Sequence, residues 1–357
     1  MPTKIGFDLT FISDVNKVSG EEIVALYILK GLCESELKKK LVIFVDRKVE
    51  KQLRRLYKNL KIVVTRKKGV VFYKRFLSRY VRKNKLSTMF YPHASYKMKS
   101  KIECKKIVVL HGLNSKDISK RKIRKTVKFL RSCESVVAVS AFVKNELLSK
   151  NKRFNKENIT VILNPLSDLR AGVDIVYKKK YILCVGDNDN NKNLLSILKA
   201  FNEISGEIDH DLVIIGKLSE KEKAYKYIKK YGLAHRVIIT GHMNRDTLFG
   251  YYKNADLFVN ASIYDGFGLT PIEALATGIK VVTTITPSIE AIKDIECEGY
   301  INKPKDYNDI SEIILMALQT PKNEQYLQKR ATQVKEYYNY KKVIRKYEQL
   351  IKKNLGE

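Results

Sequence analysis

The stretch from Ser262 to Gly278, SIYDGFGLTPIEALATG, concentrates residue types that can hold a phosphorylated ligand. Gly266 and Gly268 permit close backbone approach and positive φ angles. Thr270 and Pro271 read as the N-cap and first position of a helix that Gly278 ends. A glycine-rich turn that opens a helix offers backbone N–H groups and the positive end of a dipole, which suits a pyrophosphate. One turn further on, Glu273 carries two oxygens that can accept from both hydroxyls of a ribose. The spacing of Thr270 and Glu273 also fits an S/T-x-x-E capping box, and spacing alone favours the cap. His111 follows a buried-type strand, KIVVL, and precedes Gly112, so it should project at the strand's C-terminal edge. Asp187, Asn188 and Asp189 have the Asp-x-Asp spacing of some metal sites, but acids in a polar loop are more often turn formers, and no metal is expected. The five cysteines are scattered without a C-x-x-C pair, which suggests neither a disulfide framework nor zinc.

These residues need a scaffold, and the apolar pattern supplies one. Short β-branched runs alternate with helical patterns: KIGFDL, LVIFV, TMFY, KIVVL, SVVAV and ITVIL, then YILCV, DLVII, RVIIT, DLFVN and KVVTT. That rhythm predicts two open, doubly wound parallel-sheet domains of the Rossmann-like kind. The expected boundaries are 1–170 for a first domain, 178–335 for a second, and 336–357 for a C-terminal helix that packs back on the first. Ligands of such sheets bind beyond the C-terminal ends of the strands, so a cleft between the domains is the expected site. No apolar run approaches the ~20 residues of a membrane span. The first residues contain no long apolar leader, and a cytoplasmic chain is expected.

The formal charge of +31 is unevenly spread: residues 1–177 carry 41 Lys and Arg against 15 Asp and Glu. Within them, residues 51–131 hold 27 basic side chains against Glu103 and Asp117 alone. Such asymmetry points to an anionic partner. In VFYKRFLSRYVRKNK, residues 71–85, Phe72, Phe76 and Tyr80 recur every four residues while Arg75 and Arg79 lie on the opposite side. That is the pattern of a helix in an anionic membrane interface and equally of a core-facing helix with a basic surface; the flanking charge favours the membrane.

The segment from Asp265 to Gly278 resembles the E-G-F-G-L-P-x-x-E-A-x-A-x-G motif of retaining, nucleotide-sugar-dependent glycosyltransferases with the GT-B fold, the "group 1" family that includes many bacterial cell-surface polysaccharide enzymes. The match extends to about ten positions, with the paired acids Asp265 and Glu273 eight residues apart. Ser19-Gly20-Glu21-Glu22 looks like the family's Gly-Gly-x-Glu loop, and YILCVGDNDNNKNLLSILKAF resembles its V-G-x-x-x-x-x-K-N segment. The resemblance implies that Glu273 binds the ribose and that the backbone of Gly266, Phe267, Gly268, Leu269 and Thr270 holds the diphosphate and sugar. It implies further that Lys192, after the Gly186 loop, is the cation at the phosphates, and that Gly20 lets a first-domain loop approach them. His111 would contact the donor sugar near the reaction centre, with Asp265 beside it. Two departures stand out: Asp265 replaces the usual Glu, and the loop after Gly186 lacks the arginine often found there.

The implied function is transfer, with retention, of a hexosyl group from a nucleoside diphosphate sugar to a hydroxyl of a lipid-linked or other glycan acceptor. Neither a metal nor another cofactor is expected. The partners expected are a nucleotide sugar, that acceptor and peripheral contact with the anionic inner face of the membrane; nucleic acid is not. A basic protein binding nucleic acid or another anionic surface, a GT-B epimerase and an inactive homologue are the alternatives.

Overall fold

The computed structural model describes residues 4–15, 18–66, 71–98, 102–113, 119–150, 154–166, 177–187, 190–292 and 295–357. The chain divides into two compact units, one formed by Met1–Pro165 with Asn339–Glu357 and the other by Leu166–Tyr338. The loop-like stretch 168–180 expected to hold the domain boundary falls mostly on residues outside the described ones.

In the first unit, seven parallel strands lie in the order β3-β2-β1-β4-β5-β6-β7. They are β1 (Ile5–Leu9), β2 (Leu41–Asp46), β3 (Lys61–Thr65), β4 (Thr88–Tyr91), β5 (Lys105–Leu110), β6 (Ser135–Ala138) and β7 (Ile159–Val161). β1 and β2 are buried along their whole length, as strands covered on both faces must be, and this is why they read as unbroken apolar runs. The order reverses between β1 and β4, which places the ligand-binding end of this sheet at the loops after Leu9 and Tyr91. β3 is an addition to the expected set; as an edge strand it is only half-buried, so its pattern is weak.

The C-terminal helix Tyr340–Leu355 packs on the helix Gly20–Cys33. Their approach is close because Gly31 has no side chain: a Cβ there would stand 2.3 Å from Cγ2 of Ile344. Lys105 Nζ donates to the carbonyl of Asn354 at 2.7 Å, and Tyr340 Oη donates to that of Tyr27 at 3.2 Å.

The aromatic segment 71–85 corrects one expectation. Its π-helical turns Phe72–Leu77 run into the α-helix Ser78–Asn84. Phe72 is buried and meets Phe44 of β2 edge-on at 6.0 Å, while Tyr80 meets the same ring at 5.1 Å. Phe76 lies half-buried between Phe72 and Tyr80, stacked at 5.8 and 6.2 Å. Tyr73, also buried, donates its hydroxyl to Asp8 Oδ2 at 2.7 Å. Phe72 is thus a core residue of the first sheet and not a membrane-facing one, since covering Phe44 removes that area from water, while Phe76 and Tyr80 stay partly exposed. Arg75 and Arg79 remain exposed. Phe72→Ala should cost about 3–5 kcal/mol in denaturant unfolding and leave any partition onto anionic vesicles unchanged; loss of vesicle binding at full stability would restore the membrane reading.

In the second unit, six parallel strands lie in the order β10-β9-β8-β11-β12-β13. They are β8 (Tyr181–Val185), β9 (Asp211–Ile215), β10 (Val237–Ile239), β11 (Leu257–Asn260), β12 (Lys280–Thr283) and β13 (Gly299–Tyr300). The reversal lies between β8 and β11, so the loops after Val185 and Asn260 meet at the ligand-binding end. No helix among the described residues is long and apolar enough to cross a membrane.

Candidate functional site

The loop after β11 turns into the helix Leu269–Ala276 through Gly268, whose φ of 90° only glycine adopts readily. A Cβ there would also stand 2.4 Å from Thr286 Oγ1. The turn is pinned from behind: Ser288 Oγ donates to the Gly268 carbonyl at 2.7 Å, and Ser288 N–H to that of Phe267 at 2.7 Å. The helix therefore begins one residue before Thr270, with Gly268 at its cap, and Thr270 is already inside it. The hydroxyl of Thr270 is buried with no hydrogen-bond partner among the described residues.

Asp265 organises this turn. Its Oδ1 accepts from Phe267 N–H at 3.1 Å and Gly268 N–H at 2.7 Å, and its Oδ2 meets Lys192 Nζ at 2.9 Å. Two of the amides expected to face a diphosphate are thus engaged by a carboxylate, because the short Asp side chain folds back on its own loop. Burial pushes the Asp265 carboxyl up, but the Lys192 ammonium and the two amides outweigh it and hold the group below the usual range. Lys192 comes from the loop after β8 and runs past Gly186; a Cβ on that glycine would be 3.0 Å from Lys192 Cγ. The strand reversal thus joins Gly186, Lys192, Asp265 and the 266–270 turn at one end of the second sheet.

Glu273 is buried, and its carboxylate does not return to the helix start as a capping box would. Thr270 is not the cap, so that geometry is lost. Instead Glu273 Oε1 pairs with Arg245 Nη2, and Oε2 accepts from Tyr252 Oη at 3.3 Å. Both partners stand on the helix Arg245–Asn254, where Arg245 also covers the Phe249 ring at 4.6 Å. Sequence reasoning missed them. A seven-residue spacing puts Arg245 and Tyr252 on one helix face, but nothing in the spacing says that this face meets Glu273.

Asp187 ties separate loops together: its Oδ1 accepts from Lys217 N–H at 2.7 Å and meets His242 Nε2 at 2.5 Å. Asn188 and Asp189 lie outside the described residues. Among the described residues, no group of three or more His, Cys, Asp or Glu side chains is arranged to hold a metal ion.

In the first unit, His111 stands just past the end of β5, half-buried, with Nε2 3.0 Å from the Pro92 carbonyl. Its ring stacks beside that of His93 at 6.2 Å and 24°. Gly20 opens the helix Gly20–Cys33, and a Cβ there would meet nothing within 4 Å. The turn before it is set by Ser19 N–H, which donates to Glu22 Oε2 at 2.7 Å.

Residues 167–334 match the family model described as "Glycosyl transferases group 1". An uncharacterized glycosyltransferase of Methanocaldococcus jannaschii, MJ1607, is 27% identical over 216 residues, 56% of this chain and 54% of that protein. The Campylobacter jejuni N-acetylgalactosamine-N,N'-diacetylbacillosaminyl-diphospho-undecaprenol 4-alpha-N-acetylgalactosaminyltransferase is 33% identical over 115 residues, 32% of this chain and 30% of that protein. The chain thus spans about half or less of the length of these curated relatives. Among solved structures, Anabaena Alr3699/HepE in complex with UDP and glucose superposes with a TM-score of 0.78 at 14% identity, over 99% of this chain and 100% of that one. The last likeness is one of fold.

Proposed function

Because residues 167–334 match the group 1 glycosyl transferase family model, we propose that this chain is a glycosyltransferase that moves a hexosyl group, with retention, from a nucleoside diphosphate sugar to a hydroxyl of a lipid-linked or other cell-surface glycan acceptor. The observation that carries this reading is the meeting of Lys192 with the glycine turn and helix start of residues 265–270. A fixed ammonium and a helix N-terminus stabilise the charge that builds on a departing nucleoside diphosphate. The Thr270 hydroxyl, without a hydrogen-bond partner among the described residues, adds a donor to the same place. On binding, a phosphate oxygen takes over the Lys192 ammonium that Asp265 holds in the free protein. Glu273, one turn further in, receives the ribose hydroxyls.

In the reaction, the bond from the anomeric carbon to the phosphate oxygen breaks and a bond to the acceptor oxygen forms on the same face. The acceptor's proton passes to the departing phosphate oxygen, so the step needs positioning and charge stabilisation from the protein without a metal. The exposed basic side chains of the first unit suit an acceptor that carries phosphate. The Campylobacter relative's name specifies a diphospho-undecaprenol acceptor, which is that chemistry. An acceptor of this kind would bring the protein to the membrane surface through charge alone.

A thermal-shift panel of UDP, GDP, dTDP, CMP and ADP with their sugar conjugates tests the donor site. A ligand at a hundredfold its Kd stabilises by about 2.7 kcal/mol, so one nucleotide should raise the melting temperature selectively. With that donor and a lipid-phosphate acceptor, product analysis should find a new glycoside with the donor's anomeric configuration. No shift with any nucleotide, or free nucleoside diphosphate without a glycoside, would overturn transfer.

A further inference from the structure

His111 does not stand alone at its end of the first sheet. His93 Nδ1 lies 2.6 Å from Glu21 Oε2, on the first turn of the helix Gly20–Cys33. The His93 ring is held between two others, Phe11 at 5.2 Å on one side and His111 at 6.2 Å on the other. These residues follow β1, β4 and β5, the strands at and beside the reversal of the first sheet. The contact of His111 with Pro92 also settles its tautomer. A backbone carbonyl only accepts, so Nε2 carries the proton and Nδ1 of a neutral ring keeps its lone pair.

We propose that Glu21 and His93 form a positioning pair for His111: the His93 imidazolium, anchored by the Glu21 carboxylate, keeps the neighbouring His111 ring neutral with Nε2 protonated, so that Nδ1 accepts from a hydroxyl of the bound sugar or acceptor. The role of His111 toward that hydroxyl rests on the transferase reading; the charge coupling between the rings does not. Glu21 is not one of the residues that match the family's loop motif, where Glu22 takes the acidic place, and no motif led to His93.

The electrostatics agree with the geometry. Burial would push the Glu21 carboxyl up, but the close charge of His93, with His111 beyond, brings it down to about 2. Burial pulls His93 down, yet Glu21, then Asp8 and Glu22, raise it above the ordinary histidine value. His111 moves the other way: burial lowers it, and the charge of His93 adds to that against the opposing pull of Glu21 and the Pro92 hydrogen bond. Among the described residues the charged groups facing the pair are therefore Glu21 and Glu22 from the helix start and Asp8 from β1, and Asp8 is itself raised by burial. Over the interval between the two midpoints, His93 is charged while His111 is neutral. The arrangement fails on the acid side, when pH falls through the lowered His111 midpoint, and on the alkaline side, when His93 loses its proton.

The test is a pH titration of the ring resonances in protein with isotope-labelled histidine, without substrate, for the natural chain and for His93→Gln, His93→Lys and Glu21→Gln. In the natural chain His111 should show unprotonated Nδ1 and titrate below His93. His93→Gln should raise the His111 midpoint by about half a pH unit or more, whereas His93→Lys, which keeps a positive charge, should hold it low. Glu21→Gln should drop the His93 midpoint by about one pH unit; Glu21 is half-exposed, so this variant keeps the test open even if a His93 variant fails to fold. The acid limb of the kcat profile should follow the His111 midpoint in each variant. A His111 with Nδ1 protonated, or a midpoint that His93→Gln leaves in place, would overturn the pair even in a protein that forms glycoside. The expected titrations in a protein that forms none would uphold the pair and overturn the transferase reading.

Discussion

Lys192→Met should lower kcat by about 10²- to 10³-fold, the usual loss when one fixed donor to a developing oxyanion is removed, while leaving donor affinity within a small factor. The asymmetry follows from what Lys192 does before and after the bond breaks. In the free protein its ammonium is already paired with Asp265 Oδ2 at 2.9 Å, so binding the donor exchanges one anion for another and gains little. In the proposed transfer, charge accumulates on the diphosphate as the glycosidic bond breaks, and the same ammonium would interact more strongly with the transition state than with the bound substrate. Lys192→Arg, which keeps the charge with a different reach, should recover part of the rate. A second readout separates this from loop damage. The folded Asp265 carboxyl is held below its ordinary value, so its contribution to stability is present above that ordinary value and is lost as pH falls through the depressed one. Without the ammonium only the two amides oppose burial, so the Asp265 midpoint rises, and the acid limit of stability in pH-dependent unfolding should move to higher pH. Normal turnover with a displaced acid limit would make Lys192 a structural partner of Asp265 and nothing more.

How much of this was legible depends on whether a residue acts through its neighbours in sequence or in space. The strand runs and the glycine turn are local: YILC and LFVN are buried, and such strands announce themselves. The pairing of Lys192 with the turn was reachable only through the family's pattern, since its physical cause is the reversal of strand order between β8 and β11, which no spacing encodes. The capping box from Thr270 to Glu273 failed for a related reason. Both residues have the right types at the right interval, but the positive φ of Gly268 starts the helix earlier, and Arg245 and Tyr252 from another helix claim the Glu273 carboxylate. The aromatic stripe of residues 72–80 was ambiguous in principle. A membrane-facing and a core-facing stripe have the same period, and only the rings of Phe44 and its neighbours, far off in sequence, show that Phe72 lies in the core.

Glu273→Gln should weaken donor binding by about 10- to 100-fold, the equivalent of one or two hydrogen bonds to a charged group at 1.5–3 kcal/mol, with kcat at saturating donor nearly unchanged. The ribose lies away from the bond that breaks, so its contacts are made equally in the bound substrate and the transition state and enter KM alone. This is the opposite signature to that of Lys192, and the pair of results places the two residues along the donor. The substitution has a second cost, because Arg245, beside Phe249 and Tyr252, then loses the Glu273 carboxylate. Breaking a fully buried pair costs about 3–5 kcal/mol; with the Arg245 side chain 26% exposed, water screens part of the loss and the expected destabilisation is smaller. The double variant Glu273→Gln with Arg245→Gln resolves which effect is being read. If Glu273 serves the ribose, the double variant should regain stability, since the Arg245 charge that faced Glu273 is removed as well, yet bind donor as weakly as Glu273→Gln alone. If the carboxylate exists only to hold Arg245, affinity and stability should recover together.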